Sequence, residues 1–136
     1  LKWRQLLERH NRLVSDELAR WSGVEISTTC DGFLATFDGP ARAINAALSI
    51  ARSVPDLGVH VRCGVHTGMV EILGDDVAGL AVHIGARVGS LAATDEVLVS
   101  STVKDLVAGS GFSFEDRGTH ILKGVPDEWR VYSAST

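Results

Sequence analysis

Apolar residues in the first 21 positions recur at the spacing of a helix. They fall three or four residues apart, with charged residues such as Arg4, Glu8 and Arg12 between them. One face of the segment is therefore apolar and the other charged. This pattern predicts an amphipathic helix that Gly23 ends. Its apolar positions are Trp3, Leu6, Leu7, Leu13, Val14, Leu18 and Trp21.

The next two segments have the composition of strands. Residues 24–29 and 33–37 are rich in β-branched and aromatic side chains, and Cys30-Asp31-Gly32 between them is typical of a hairpin turn. Asp38-Gly39-Pro40 breaks the second strand and begins a predicted helix, which Pro55 ends.

The second half of the chain alternates between strand and helix patterns. Residues 59–65 and 69–73 are predicted to pair as a hairpin around His66-Thr67-Gly68. Helical spacing returns over 77–91. The remaining predictions are a strand at 96–100, a brief helix at 103–107 and antiparallel strands at 112–116, 120–122 and 129–132, interrupted by Gly118 and Gly124.

The order of these elements predicts an α+β fold of the ferredoxin-like kind. We expect helices to cover one face of a mainly antiparallel sheet. The chain has 136 residues, of which 45% are hydrophobic, and this suffices for the core of one domain over 1–136. Cys30 and Cys63 fall in apolar segments without the spacing of metal ligands, so we expect reduced core residues.

Charge and hydropathy argue against two kinds of partner. The formal net charge is -4, so the chain lacks a general surface for polyanions, and nucleic acid is a poor candidate ligand. Any phosphate contact must therefore come from a few placed cations. No apolar run approaches the roughly 20 residues of a membrane-spanning helix, so we expect no membrane segment in the chain.

The segment from Asp76 to Arg87 carries the most informative chemistry. Asp76 stands just before the helical pattern, and Arg87 lies one turn after His83 on the same face. Apolar neighbours at 82, 84, 86 and 88 predict a largely buried helix, in which an unpaired arginine would be costly. An acidic loop followed by an inward arginine suits a site that reads a base and stabilises a phosphoryl group.

Four separated motifs occur in the order of a known family. They are Thr29-Cys-Asp-Gly-Phe-Leu-Ala-Thr-Phe, Val61-Arg-Cys-Gly-Val-His-Thr-Gly, Asp76-Val-Ala-Gly with Arg87, and Leu122-Lys-Gly-Val. Together they resemble the class III nucleotidyl cyclase catalytic domain of the actinobacterial type, over nearly the whole chain.

This resemblance implies an adenylyl cyclase, which converts ATP to cyclic AMP and pyrophosphate in a head-to-tail homodimer with active sites between the subunits. It implies the cyclase form of the ferredoxin-like sandwich, with a further strand before the opening helix. The chain is therefore expected to be one N-terminally incomplete cyclase domain. A cytoplasmic location is expected as well, because ATP is available there.

The family's metal site depends on two aspartates, and Asp31 matches the second of them. A carboxylate on a tight hairpin suits Mg²⁺ or Mn²⁺, because these cations prefer oxygen and bind few protein ligands beside substrate phosphates. From the residues alone, Asp-Gly is equally good hairpin chemistry. The family's first metal aspartate lies on the strand that precedes the opening helix.

Three cations match the family's phosphate-binding positions. Arg62 and Lys123 match residues that contact the phosphates, and two converging cations suit a triphosphate. Each can also be an ordinary exposed strand charge. Arg87 matches the arginine that compensates charge on the α-phosphate while the ribose 3′-hydroxyl attacks.

Other positions depart from the family pattern. His83 stands where many cyclases carry an asparagine that orients the ribose or phosphate, and a helix histidine packed at the dimer interface explains it equally well. Asp76 keeps one of two base-reading positions, whereas Ser27 replaces the lysine of the other. The choice between ATP and GTP is therefore open. Cys30 replaces the glycine before the metal aspartate, which could tilt Asp31.

Two functional hypotheses follow. The first is an adenylyl cyclase catalytic domain that is weak or inactive as it stands, and Asp31, Arg62, Asp76, Arg87 and Lys123 favour it. The second is a degenerate cyclase-homology domain that pairs with another cyclase domain or binds a nucleotide without turnover, and Ser27, Cys30 and His83 favour it. An unrelated ferredoxin-like interaction domain would leave the ordered motifs unexplained.

Overall fold

The first helix, α1 (Lys2–Arg20), forms where apolar and charged residues alternate at helical spacing, as predicted. The structure is a computed structural model that describes residues 2–29 and 32–136, without the side chains of residues 27–29. Across those two ranges, no helix is both long enough and apolar enough to cross a membrane. The other elements are β1 (Val24–Thr29), β2 (Gly32–Thr36), α2 (Pro40–Ser53), a 3-10 turn (Val54–Leu57), β3 (Cys63–Val65), β4 (Glu71–Leu73), β5 (Asp76–Ala78), α3 (Leu80–Ser90), β6 (Val97–Ser100), α4 (Ser101–Leu106), β7 (Ser113–Ile121) and β8 (Glu128–Ser135).

Helix α1 packs against α2 and the β1–β2 hairpin. Val14 and Leu18 of α1 meet Ile50 and Val54, and aromatic side chains of β2 cover the edge of this cluster. Strands β1 and β2 pair antiparallel, as the sequence predicts. The amphipathic pattern of the opening segment therefore corresponds to a helix that covers a core with one face.

Strand β6 lies inside a four-stranded sheet with the order β3-β6-β8-β7. All four of its residues are buried, because helices cover both faces of the sheet. Val97 and Val99 belong to a core with residues of α2 and α4, whereas Leu98 belongs to a second core with Ile84 and Val88 of α3. The expectation that helices cover one face is therefore wrong. The continuous apolar run 97–99 is the sequence signal of a strand buried on both faces.

The pairing of β3 and β4 also differs from the prediction. Strand β3 runs parallel to β6, whereas β4 pairs antiparallel with β5, so the hairpin predicted around His66 is wrong. The β4–β5 turn lies at Gly74, whose φ of 64° is a conformation that glycine adopts easily. Asp76 consequently lies in a strand, and α3 begins at Leu80 rather than at 77. The other described pairings are antiparallel, which confirms a mainly antiparallel α+β fold.

Strand β7 continues through Gly118, where the sequence predicted an interruption. Its register against β8 shifts between Asp116 and Thr119, and Gly118 has a φ of 86°. This is a β-bulge, in which one strand accommodates extra residues without ending. Two predicted strands therefore form one.

Helix α3 lies against β3 with almost no side chain between them. A Cβ placed on Gly64 would stand 2.3 Å from the backbone N of Gly89 and 2.4 Å from the carbonyl O of Gly85. Neither backbone atom can rotate away as a flexible side chain would, so residue 64 must lack a side chain. We call Gly64, Gly85 and Gly89 the glycine seam, because these residues set the distance between α3 and the sheet.

We expect Gly64→Ala to destabilise the fold by about 2–3 kcal/mol, because the backbone of α3 must move to admit the methyl group. Gly85→Ala is the matched control in the same seam. Its Cβ would meet only the Cβ of His66, at an ordinary 3.8 Å, and alanine favours a helix over glycine by about 1 kcal/mol. Urea-induced unfolding of both variants measures the difference. Equal losses of stability would contradict the proposed role of the seam.

His66 joins the end of β3 to the buried start of α4. Its Nδ1 lies 2.7 Å from the Oγ of Ser100, and its ring meets Trp129 edge to face at 5.4 Å. The same Oγ accepts a hydrogen bond from the backbone N of Val103 and caps α4. Both contacts are satisfied when the Ser100 hydroxyl donates to Nδ1, which makes His66 a neutral imidazole with its proton on Nε2. Burial lowers the pKa of His66 below 6.5, in agreement with a neutral ring.

This lowered pKa predicts a loss of stability in acid. The unfolded His66 has a pKa near 6.5, and the folded one lies below that value. The unfolded chain therefore binds the proton first as the pH falls, so the stability that neutral His66 contributes is complete above pH 6.5 and declines below it. We expect the unfolding free energy to fall less steeply between pH 7.5 and pH 5 in His66→Gln than in the wild type. Urea titrations at both pH values measure this, and identical slopes would refute it.

Cys63 lies at the edge of the core beneath α2, as predicted. Burial, together with the charge of Asp95, raises the pKa of its thiol to about 11. The thiol is therefore protonated at neutral pH and is a poor nucleophile. Cys63 is a free cysteine, and Cys30 lies outside the described residues.

Candidate functional site

The structure brings His83 and Lys123 together. The Nε2 atom of His83 in α3 lies 2.8 Å from the backbone carbonyl O of Lys123. We call residues 122–125 between β7 and β8 the Lys123 loop. Its outer residues Leu122 and Val125 are buried in the core beneath α3, and the backbone N of Val125 donates to the carbonyl O of Leu122 at 3.0 Å. The loop is thus anchored at both ends, and the side chain of Lys123 is exposed.

Arg87 follows His83 by one helical turn and is half-buried. Its guanidinium makes no hydrogen bond or ion pair with any residue that the structure describes. Helix α3 is less buried than the sequence predicted, because only Ile84 and Val88 are fully covered. A half-buried position leaves the Arg87 side chain access to water, so it needs no ion pair from the described residues. Since residues four apart share a helix face, Arg87 lies on the same side of α3 as the contact with the Lys123 loop.

Asp76 and Ser27 lie on strands that touch each other. Strand β5, which begins with Asp76, packs beside β1, which contains Ser27. The carboxylate of Asp76 is exposed, and its Oδ1 accepts a hydrogen bond from the backbone N of Val77 at 2.8 Å. Its Oδ2 has no partner among the described residues. The side chain of Ser27 lies outside the description, but its backbone faces Leu34 in the hairpin.

Arg62 and Asp31 are not joined to this group by any described contact. Arg62 is exposed just before β3 and forms no hydrogen bond or ion pair within the described ranges. Asp31 lies outside the described residues. Among residues 2–29 and 32–136, no three His, Cys, Asp or Glu side chains are grouped to hold a metal ion. The metal role of Asp31 and the phosphate role of Arg62 stay predictions.

The other histidines have contacts within the described part of the chain. Nδ1 of His60 lies 2.7 Å from a carboxylate oxygen of Asp95, and Nε2 of His120 lies 2.8 Å from the carbonyl O of Arg117. His10 stacks at a tilt on Phe33, and burial lowers its pKa.

Sequence reasoning missed the surface made by β4, β5 and the start of α3. Met69 is 93% exposed, Ile72 78% and Leu73 57%, and Leu80 is exposed beside them. The run 69–73 is mostly apolar, and the sequence predicts it as one strand of the hairpin around His66. Ile72 and Leu73 are neighbours in β4 and therefore face opposite sides of the hairpin, so each side exposes apolar side chains.

Two surface clefts of the described chain lie away from this surface. One of about 390 Å³ is lined by residues of the α2 start and α4, including Arg42 and Leu106. Another of about 360 Å³ lies between α1 and Leu57. Neither cleft is lined by a predicted site residue.

Three comparisons agree on the family. The model of the adenylate and guanylate cyclase catalytic domain matches residues 2–135. An uncharacterised protein of Mycobacterium tuberculosis, Rv0891c, is 31% identical over 124 residues, which cover 85% of this chain and 42% of that protein. Putative adenylate cyclase 3 of Rhizobium meliloti is 26% identical over 139 residues, which cover 96% of this chain and 24% of that protein. The chain thus spans less than half the length of either relative.

A solved structure supports the same assignment. The adenylate/guanylate cyclase/hydrolase of Silicibacter pomeroyi matches with a TM-score of 0.86 at 27% identity, over 96% of this chain and 80% of that one. The chain belongs to the family of adenylate and guanylate cyclase catalytic domains.

Proposed function

We propose that this chain is the catalytic domain of an adenylyl cyclase, which converts ATP to 3′,5′-cyclic AMP and pyrophosphate. The proposal rests on the position of Arg87, which forms no ion pair with a described residue. Arg87 lies one helical turn from His83, and His83 contacts the Lys123 loop. Arg87 and Lys123 lie on neighbouring elements, and neither side chain forms an ion pair with a described residue. Two such cations suit a polyphosphate ligand. Both residues also match positions at which the cyclase family contacts the phosphates of its nucleotide.

Cyclisation needs positioning and charge more than covalent help. The ribose 3′-oxygen forms a bond to the α-phosphorus, the bond from that phosphorus to the bridging oxygen breaks, and pyrophosphate leaves while the hydroxyl proton passes to solvent or phosphate. Arg87 compensates the charge that gathers on the α-phosphoryl oxygens, and Lys123 holds the distal phosphates. Arg62 is the third proposed phosphate contact. Such aimed donors supply a large part of the rate in phosphoryl transfer.

A divalent cation, Mg²⁺ or Mn²⁺, is the proposed cofactor, and it supplies charge neutralisation at the phosphates when bound. Asp31 is the residue proposed to hold it. The described residues contain no group of three metal ligands, so Asp31, which lies outside them, is the one residue of this sequence that we propose as a metal ligand.

The base is proposed to be adenine rather than guanine. Asp76 has a free carboxylate oxygen, which accepts hydrogen bonds and cannot donate them. Adenine presents an amino group at its sixth position, whereas guanine presents a carbonyl oxygen there. A carboxylate oxygen aimed at this sixth position therefore accepts from adenine and meets only another acceptor in guanine, whose own donors lie at N1 and N2. Ser27, on the neighbouring strand, is proposed to add a hydroxyl contact.

A homodimer is proposed as the working form, with the apolar β4–β5 surface at its interface. Met69, Ile72, Leu73 and Leu80 together expose apolar area that a second copy would cover. The open arrangement of the predicted site residues agrees with a nucleotide that is enclosed between subunits. Cytoplasmic location is part of the proposal, because ATP is available there.

A degenerate cyclase-homology domain is the second candidate. Ser27, Cys30 and His83 replace residues that the family uses, and His83 contacts the Lys123 backbone within its own chain. Such a domain would bind a nucleotide or pair with another cyclase domain without turnover. The two candidates differ in whether cyclic nucleotide forms.

We expect Arg87→Ala to lower kcat for cyclic AMP formation at least about 100-fold, because it removes a charge that acts in the transition state. KM for ATP should change much less. The assay measures cyclic AMP from ATP and cyclic GMP from GTP, with Mn²⁺ or Mg²⁺ and the whole protein. Arg4→Ala is the control, because Arg4 is also a helical arginine without an ion pair in the described ranges.

Three results are informative. Loss of product in Arg87→Ala but not in Arg4→Ala supports the cyclase, and the better substrate identifies the purine. Equal activity of both variants and the wild type would refute the role of Arg87. ATP binding without cyclic product in a folded wild type would favour the degenerate domain.

We expect Leu73→Asp to shift the protein from dimer to monomer, because it places a charge in the proposed interface. Leu106→Asp is the matched control, since Leu106 is 62% exposed and Leu73 57%, and Leu106 lies on α4. Sedimentation velocity measures the oligomeric state over a range of concentrations. A dimer that withstands Leu73→Asp would place the interface elsewhere.

A further inference from the structure

We propose that His83 is a positioning residue that holds the Lys123 loop against α3. Its effect on the nucleotide rests on the proposed function, whereas the contact itself does not. The carbonyl O of Lys123 is 2.8 Å from Nε2 of His83, and a carbonyl can only accept. Nε2 therefore carries a proton and donates it to this bond in both the neutral and the charged ring.

The loop is built around this contact. Leu122 and Val125 are buried, so they fix the two ends, and the intervening Lys123 and Gly124 project from the surface. Gly124 has a φ of 79°, and a Cβ placed on it would stand 3.0 Å from Nε2 of His83. The imidazole thus packs on a residue without a side chain while it binds the preceding carbonyl. It fixes the backbone from which the Lys123 side chain departs.

This contact limits how far the backbone of Lys123 can move away from the helix that carries Arg87. Arg87 lies one turn beyond His83 on the same helix, and His83 binds the backbone of Lys123. The hydrogen bond therefore ties the loop cation to the helix cation. Without this hydrogen bond, Lys123 would sample several positions. Nucleotide binding would then have to restrict Lys123 to one of them, and this loss of conformational entropy would weaken the affinity.

The alternative role for His83 is direct contact with the substrate through its other nitrogen. Nδ1 makes no hydrogen bond to the described part of the chain. Two amides distinguish these roles, because the glutamine nitrogen can occupy the place of Nε2 and the asparagine nitrogen the place of Nδ1. If His83 holds the Lys123 loop through Nε2, the hydrogen bond is retained in His83→Gln and lost in His83→Asn. A substrate contact through Nδ1 shows the reverse order.

The experiment compares His83→Gln, His83→Asn and His83→Ala in the whole protein. Hydrogen exchange, followed by mass spectrometry, measures the opening of the backbone amides of Gly124 and Val125. The KM for ATP measures the consequence, or the Kd for ATP if the wild type does not turn over. His120→Ala is the control, because its Nε2 also bonds a backbone carbonyl at 2.8 Å, that of Arg117, outside the Lys123 loop.

We expect about fivefold faster exchange and about fivefold weaker ATP affinity in His83→Ala and His83→Asn, the fold-change of one ordinary hydrogen bond. His83→Gln and His120→Ala should stay near the wild type in both measurements. Unchanged amide exchange in His83→Ala would overturn the proposal that His83 holds the Lys123 loop. Faster exchange in His83→Ala with unchanged ATP affinity would overturn the role of His83 in positioning Lys123. ATP affinity that is retained in His83→Asn but lost in His83→Gln would identify a substrate contact through Nδ1 instead. Absence of turnover in the wild type would count against the cyclase alone, because the exchange result does not depend on it.

Discussion

The close approach of two backbones determines where the candidate site can form. Gly64 of β3 meets Gly85 and Gly89 of α3 without a side chain between them. This glycine seam fixes the distance of α3 from the sheet, and α3 carries both His83 and Arg87. The Lys123 loop reaches His83 only because the helix lies this close to the strands beneath it. Geometry at the candidate site is therefore set by residues that have no functional groups.

Burial of the sheet on both faces makes this arrangement stable. Strand β6 supplies Val97 and Val99 to one core and Leu98 to the other, so a single strand joins α2 and α4 to α3. His66 adds a polar link between β3 and Ser100 at the start of α4. Because both cores share β6, α3 cannot shift without disturbing the opposite layer. Such rigidity suits a surface that must present charged groups in fixed positions.

The residues that carry charge are left open by the same fold. Arg87 and Lys123 have no internal anionic partner in the described ranges, while ion pairs such as Arg130 with Asp116 form on β7 and β8. The apolar hairpin of β4 and β5 is likewise left uncovered. The exposed apolar hairpin and these two cations are the features on which the proposed second subunit and the proposed nucleotide ligand rest.

The sequence by itself determined local structure and family. Helical spacing identified α1 and α2, the turn residues identified the β1–β2 hairpin, and the ordered motifs identified the cyclase domain, because these signals depend on neighbours along the chain. Only the tertiary structure decided that β3 pairs with β6, that helices cover both faces and that Gly118 is a bulge within one strand. It also decided that His83 binds the carbonyl of Lys123, 40 residues away. Such partners are chosen by packing between distant segments, and no periodicity within either segment records that choice.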